Sequence, residues 1–141
     1  MQIVDANVLL YAVNERSEQH DAARSWLDRA LSGRETVGFS WMVLLAFVRL
    51  TTHPAVFPLP LSIEDAAAVV RVWLAQPTAV VVEPTVRHID IMEGLLSELG
   101  TAANLVNDAH LAALALEHAA DVVSFDADFS RFDGVRWLNP G

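Results

Sequence analysis

The sequence predicts an α/β domain, a parallel sheet covered by helices, and three observations carry that reading. Short apolar runs of strand character recur at Ile3-Val4, Val37-Gly38-Phe39, Val80-Val81-Val82 and Asp121-Val122-Val123-Ser124-Phe125. Between them lie longer segments with apolar residues at helical spacing, and strands alternating with helices imply parallel pairing through crossovers. The run Val80-Val81-Val82 is β-branched and continuous, the pattern of a strand buried on both faces.

The elements follow in order. Ile3 and Val4 form a first strand with almost no lead-in, and Val8, Leu9, Leu10 and Ala12 then resume an apolar pattern of helical type. A second helix is expected over 17–31, where Ala22, Ala23, Trp26, Leu27, Ala30 and Leu31 share helical spacing and Ser32-Gly33 stops it. After the strand at 37–39, Ser40 reads as the N-cap of a helix from Trp41 to Thr51 that is apolar nearly all round. Such a helix is expected to be buried on two sides, within the domain and against a partner. His53-Pro54 ends it, and the apolar loop Val56 to Leu61 needs cover.

Ser62-Ile63-Glu64-Asp65 opens the next helix with acids in its first turn, where the helix dipole favours them. It runs to about Ala75, before Pro77. Beyond the strand at 80–82, a helix is expected from Thr85 to Leu99, closed by Gly100. Another is expected over 109–119, entered through Asn107-Asp108. The strand at 121–125 stops at Asp126, and 135–138 adds a last strand. No repeat, linker or low-complexity segment interrupts the 141 residues, so residues 1–141 are read as one domain.

Composition narrows the functions. Hydrophobic residues make up 53% of the chain, but the longest unbroken apolar run, Trp41 to Val48, falls well short of the roughly 20 residues a bilayer requires. No membrane association is expected, and the surplus apolar surface is assigned to protein interfaces. The absence of cysteine excludes disulfides and thiolate metal sites. With no leader-like N-terminus, the cytoplasm is the expected compartment.

The net charge of −9 argues against passive binding of nucleic-acid phosphates, which needs a basic surface. It does not argue against a nuclease whose acids hold a divalent cation. All nine basic residues are arginine. Schiff-base chemistry and a P-loop are therefore excluded.

Four acids stand where strands end or helices begin. Asp5 closes the first strand, Asp108 opens an apolar helix, and Asp126 and Asp128 follow the 121–125 strand. Ligands of open α/β sheets gather outside the carboxyl ends of the strands. Two readings of each acid stand at this point: helix cap or solvated turn residue, and member of a carboxylate cluster. Carboxylates brought together repel one another, and a hard divalent cation such as Mg²⁺ or Mn²⁺ relieves the repulsion. Asn7 has two readings as well, cap of the first helix or hydrogen-bond donor to a ligand or phosphate. Arg49 complements a helix dipole or grips phosphate. Trp26, Trp41 and Trp73 sit among aliphatic residues and are read as core or interface. His110, two residues from Asp108, points to a different side of its helix, and His20 and His118 lack partners at metal-ligand spacing.

Four segments together resemble the PIN-domain ribonucleases, most closely the toxins of VapBC-type toxin–antitoxin pairs. They are Asp5-Ala6-Asn7-Val8-Leu9-Leu10, Phe47-Val48-Arg49-Leu50-Thr51-Thr52, Asp108-Ala109-His110-Leu111-Ala112-Ala113-Leu114-Ala115 and Ser124-Phe125-Asp126-Ala127-Asp128-Phe129. The resemblance spans essentially the whole chain. It implies a three-layer α/β/α fold with a short central parallel sheet and Mg²⁺-dependent hydrolysis of RNA, with Mn²⁺ as substitute. It further implies a homodimer and inhibition by a cognate antitoxin. Asp5 and Asp108 would be the principal metal ligands, and Asp126 and Asp128 would complete the acidic pocket. The family often carries a glutamate where this chain has Ala46, so chemistry with one metal is the expectation.

Two other readings remain open on the sequence. A phosphatase of the doubly wound type also places Asp after its first strand, but Asn7 stands where its second Asp belongs and its usual lysine is absent. A catalytically impaired binding module is the non-enzyme alternative, and Ala46 is what keeps it open.

Overall fold

The computed structural model describes residues 1–141. Its strands are β1 (Gln2–Val4), β2 (Val37–Phe39), β3 (Ala79–Val81), β4 (Asp121–Val123) and β5 (Trp137–Leu138). Its helices are α1 (Ala6–Val13), α2 (His20–Ser32), α3 (Trp41–Thr51), α4 (Ile63–Leu74), α5 (His88–Leu99) and α6 (Val106–Glu117). The sheet has the order β3-β2-β1-β4-β5, and every neighbouring pair is parallel. This is the expected α/β architecture.

The chain winds from β1 outward to β3, then crosses back to β4 on the other side of β1. Right-handed crossovers in opposite directions place their helices on opposite faces of a sheet. Accordingly α1 packs on α2 and α3, and α3 on α4, while α5 and α6 pack on each other and α6 meets β1 and β4. The reversal falls between β1 and β4, whose register pairs Val4 with Val123. The next residue on each strand therefore opens into the crevice where α/β folds bind ligands. Ile3, Val4, Val122 and Val123 are completely buried beneath it. Gly38 lets β2 lie close, since a Cβ there would stand 3.0 Å from Ile3 Cγ1 and 3.2 Å from Val82 Cγ1.

Several boundaries differ from expectation, each for a specific physical reason. Ser17 and Gln19 hydrogen-bond each other in a turn, so α2 begins at His20. Thr85 turns its backbone and side chain to Glu117, and α5 begins three residues later. Strand β3 is an edge strand rather than a buried one, with Val80 and Val81 partly exposed and only Val82 buried beyond it. The ends of β4 and β5 are trimmed to the residues that pair. Helix α6 starts at Val106, earlier than the sequence implied, because the turn Ala103–Leu105 leads into it.

The α3 helix buries Val43, Leu44, Phe47 and Thr51 and leaves Trp41 and Leu45 in solvent. Trp73 is core, packed edge-on to Phe47 at 4.8 Å between ring centroids. In the loop before α4, Val56 and Leu59 are uncovered. No helix is long and apolar enough to cross a membrane.

Candidate functional site

Asp5 leaves β1 in an extended conformation and N-caps α1, its Oδ1 accepting from Ala6 N at 2.7 Å. Its Oδ2 accepts from the hydroxyl of Ser124 at 2.7 Å. Both readings of Asp5 thus hold together, a cap and a carboxylate at the crevice. Each oxygen keeps a lone pair for a further partner.

Ser124 is the residue on which the crevice is assembled. Its Oγ donates to Asp5 and accepts from Asn7 Nδ2 at 3.0 Å and Asp126 N at 2.9 Å. One donor and two acceptor positions are the full capacity of a hydroxyl. Its backbone is also engaged, with N donating to Leu138 O at 3.0 Å and O accepting from Trp137 Nε1 at 2.8 Å. Ser124 is completely buried and fully satisfied. The sequence reading placed it in a strand and gave it no role, since one serine after two valines carries no pattern. Only the Val4–Val123 register puts it beside Asp5.

Asn7 Oδ1 accepts from Phe125 N at 3.2 Å. Together with its bond to Ser124, this makes the Asn7 amide part of the scaffold, with one Nδ2 hydrogen left over. Asp126 caps the turn Ala127–Arg131 by accepting from Asp128 N at 2.9 Å. Asp128 is about half exposed and lies 3.9 Å from Arg131, too long for a firm ion pair.

Asp108 stands in the first turn of α6, whose N-cap is Leu105, so it is not a cap. Carboxylate oxygens of Asp108, Asp126 and Asp128 lie within 4.8 Å of one another. Asp5 is close enough for its charge to raise Asp108, so the structure brings all four expected acids to one place. Burial raises Asp108 from 3.8 to about 6, and the charges of Asp126, Asp5 and Asp128 add to the rise. Burial also raises Asp5, against hydrogen bonds from Ser124 and Ala6 that lower it, with the Asp126 charge adding to the rise. This donor set suits a hard divalent cation: several carboxylate oxygens, no sulfur or imidazole, and anions whose proximity is unfavourable without one.

A cleft of about 560 Å³ opens from these acids. Asp5, Asn107 and Asp108 line it together with Met42, Leu45, Ala46 and Arg49 of α3. Ala46 lines the same cleft as Asp5 and Asp108 and brings no carboxylate to it. Arg49 is the one cationic residue in this lining. The site thus combines an acidic end, an apolar wall and one guanidinium.

The chain is similar to known proteins along nearly its whole length. The profile of the PIN domain family matches residues 3–135. The chain is 62% identical to ribonuclease VapC37 of Mycobacterium tuberculosis over 140 residues, covering 99% of this chain and 97% of that protein. Ribonuclease VapC33 of the same species is 41% identical over 140 residues, covering 99% and 98%. Among solved structures, VapBC2 of Rickettsia felis bound to a promoter DNA fragment superposes with a TM-score of 0.73 at 17% identity, covering 98% of this chain and 97% of the other. The sarcin-ricin-loop-cleaving toxin VapC20 of M. tuberculosis gives 0.64 at 22% identity, covering 96% and 99%. At such identities these two structures share the fold.

Proposed function

The chain belongs to the PIN-domain family, and from that premise we propose that it is a Mg²⁺-dependent endoribonuclease, the toxin of a type II toxin–antitoxin pair. The observation that carries the proposal is the convergence of Asp5, Asp108, Asp126 and Asp128 at the β1/β4 reversal, in a chain 62% identical to a ribonuclease. A divalent cation held there would supply Lewis-acid stabilisation of the phosphate and a lowered pKa for bound water.

The protein's own residues do the rest. Asp5 and Asp108 supply ligand oxygens, with Asp126 and Asp128 contributing directly or through water. Ser124 and Asn7 fix the Asp5 carboxyl so that its geometry does not relax during the reaction. Asp126 or Asp128 orients the attacking water and takes its proton, while the ribose oxygen leaves phosphorus. Arg49 binds a phosphate of the RNA in the cleft it shares with the acids. Such a role reconciles an acidic protein with a nucleic-acid substrate, because the phosphates are neutralised locally.

The partners proposed are an RNA substrate, a cognate antitoxin and a second copy of the chain. Support comes from Trp41 and Leu45 on α3, Val56 and Leu59 in the following loop, and Ile63 and Val72 on α4, all large apolar residues in solvent. An antitoxin arginine reaching the acidic pocket would compete with metal, and inhibition that survived replacement of every antitoxin arginine would rule this route out. The site of action proposed is the cytoplasm.

The test is incubation of total RNA with Mg²⁺ or Mn²⁺, wild type beside Asp5→Asn and Asp108→Asn. Discrete cuts lost with EDTA and with either substitution are expected. A folded protein that neither cuts nor binds metal would instead be an inert module.

A further inference from the structure

Helix α6 carries Asp108, yet little in its immediate surroundings fixes where its first turn lies. It has no side-chain N-cap, and the turn leading into it holds Ala103 at φ +29°, a region disfavoured for residues with a Cβ. Its buried surface is made largely of Ala109, Ala112, Ala113 and Ala115, with Leu111 and Leu114. Of these, only Leu111 and Leu114 protrude far enough to interlock with neighbours, so packing fixes its position along its axis through two side chains and leaves a part for polar contacts. Slippage by one residue would shift it about 1.5 Å and rotate it about 100°. A metal ligand on its first turn has a tolerance nearer 0.5 Å.

One polar network crosses from α5 to α6. His88, the first residue of α5, has Nδ1 2.8 Å from Glu117 Oε2 and Nε2 2.8 Å from His110 Nδ1. Thr85 donates to Glu117 Oε1 from its backbone N at 3.0 Å and also from its hydroxyl. His110 and Glu117 are seven residues apart, so they share a face of α6 about 10 Å long. Asp108, two residues before His110, points elsewhere. The Glu117 side chain is only 2% exposed and that of His88 13%. Burial works to raise the Glu117 carboxyl, but hydrogen bonds from Thr85 and His88 prevail and hold it low. As an anion, Glu117 requires His88 Nδ1 to donate, and a neutral His88 then accepts from His110 Nδ1.

We propose that the Thr85–Glu117–His88–His110 network is a register pin for α6, and that His88 and Glu117 are positioning residues that hold Asp108 in the acidic pocket. Buried polar groups are best attested in this use, fixing the register of a helix whose apolar contacts do so only in part. The proposal rests on the metal-nuclease reading for its consequence in catalysis. Its structural content is the placement of α6.

The decisive variants separate register from stability. Replacing His88, His110 and Glu117 together by leucine removes the pin but supplies apolar packing, so the melting temperature is expected to hold or rise. Calorimetric titration with Mn²⁺ should nonetheless show affinity about tenfold weaker, because Asp108 is no longer placed within tolerance. Amide hydrogen exchange in residues 106–113 should quicken. Glu117→Gln should rescue: its amide donates to His88 Nδ1, His88 Nε2 then donates to His110, and every contact survives with the protons reversed. Glu117→Leu should not.

Wild-type Mn²⁺ affinity and unchanged exchange in the triple variant would overturn the proposal. So would equal losses in Glu117→Gln and Glu117→Leu, which would make charge and not register the operative quantity. If the triple variant fails to fold, that last pair decides. A wild type that binds no Mn²⁺ would sink the nuclease reading, while the exchange comparison would still judge the pin.

Discussion

The Ser124 hydroxyl donates to Asp5 Oδ2 at 2.7 Å, joining two residues 119 positions apart in the chain. They meet because they follow the paired residues Val4 and Val123, and the same hydroxyl receives Asn7 and the Asp126 amide. One buried oxygen thus ties β1, α1 and β4 to the acidic pocket. Ser124→Ala leaves Asp5 with one donor fewer and strands the Asn7 Nδ2 and Asp126 N groups. Denaturant titration is expected to show a loss of about 1–3 kcal/mol. RNA cleavage should fall as well, roughly tenfold or more, since a ligand's supporting hydrogen bond is lost. Unchanged cleavage would show that Asp5 needs no orientation.

Asp108→Asn should abolish function while sparing the fold. Its carboxyl is the most perturbed in the pocket, and an amide is a poor ligand for Mg²⁺. Cleavage is expected to drop by about 10²-fold or more, and Mn²⁺ binding to weaken in parallel. Calorimetry and a cleavage assay on the same preparation check both.

The same substitution should stabilise the metal-free protein, and by an amount that depends on pH. Asp108 titrates near 3.8 when unfolded and at about 6 when folded. Between those values the folded state retains a proton that the unfolded state has released, so stability falls as pH rises through the window. Asparagine lacks this liability. The melting temperature of Asp108→Asn minus that of wild type, measured in EDTA, should be near zero at pH 4 and largest above pH 7. Saturating Mn²⁺ should reverse the order at pH 7, because only the wild type gains a ligand.

Arg49→Gln should raise KM for RNA roughly three- to tenfold with kcat little changed, as expected for a charge-assisted contact at a partly exposed position. A fall in kcat with KM unchanged would place Arg49 at the reacting phosphate instead.

Ala46→Glu places a carboxylate in the cleft lining with Asp5 and Asp108. The metal-free variant should melt lower, through added repulsion, and Mn²⁺ titration should show tighter binding or a second equivalent. Neither change would mean that the new side chain turns away from the acids.

How far the sequence could be read depended on whether the deciding interaction was local. Strand β2 and helix α3 were legible to the residue because Ser40 caps the helix and His53-Pro54 stops it. Helix α5 starts later than Thr85 suggests because the Thr85 hydroxyl accepts from Arg87 N in a local turn and donates to Glu117, 32 residues away. The run at 80–82 reads as buried because composition reports burial on average and not position in a sheet. The acids were visible because each ends a strand or opens a helix. Ser124 and the His88 network were not, since both exist only through pairings between distant segments. The partner that the structure gives His110 comes from α5, 22 residues away, and the exposure of Trp41 fits the interface side of its reading.

The strand order carries a consequence for synthesis. The pocket needs β1, made first, and β4, made almost last, so contacts of large sequence separation must close before it exists. A growing chain shorter than Ser124 has Asp5 but neither its partner nor Asp126 and Asp128. At translation speeds of about 5–20 residues per second, the nascent polypeptide spends nearly its whole elongation as a harmless fragment. For the nuclease proposed above, RNA around the ribosome still making the chain would meet no assembled acidic pocket.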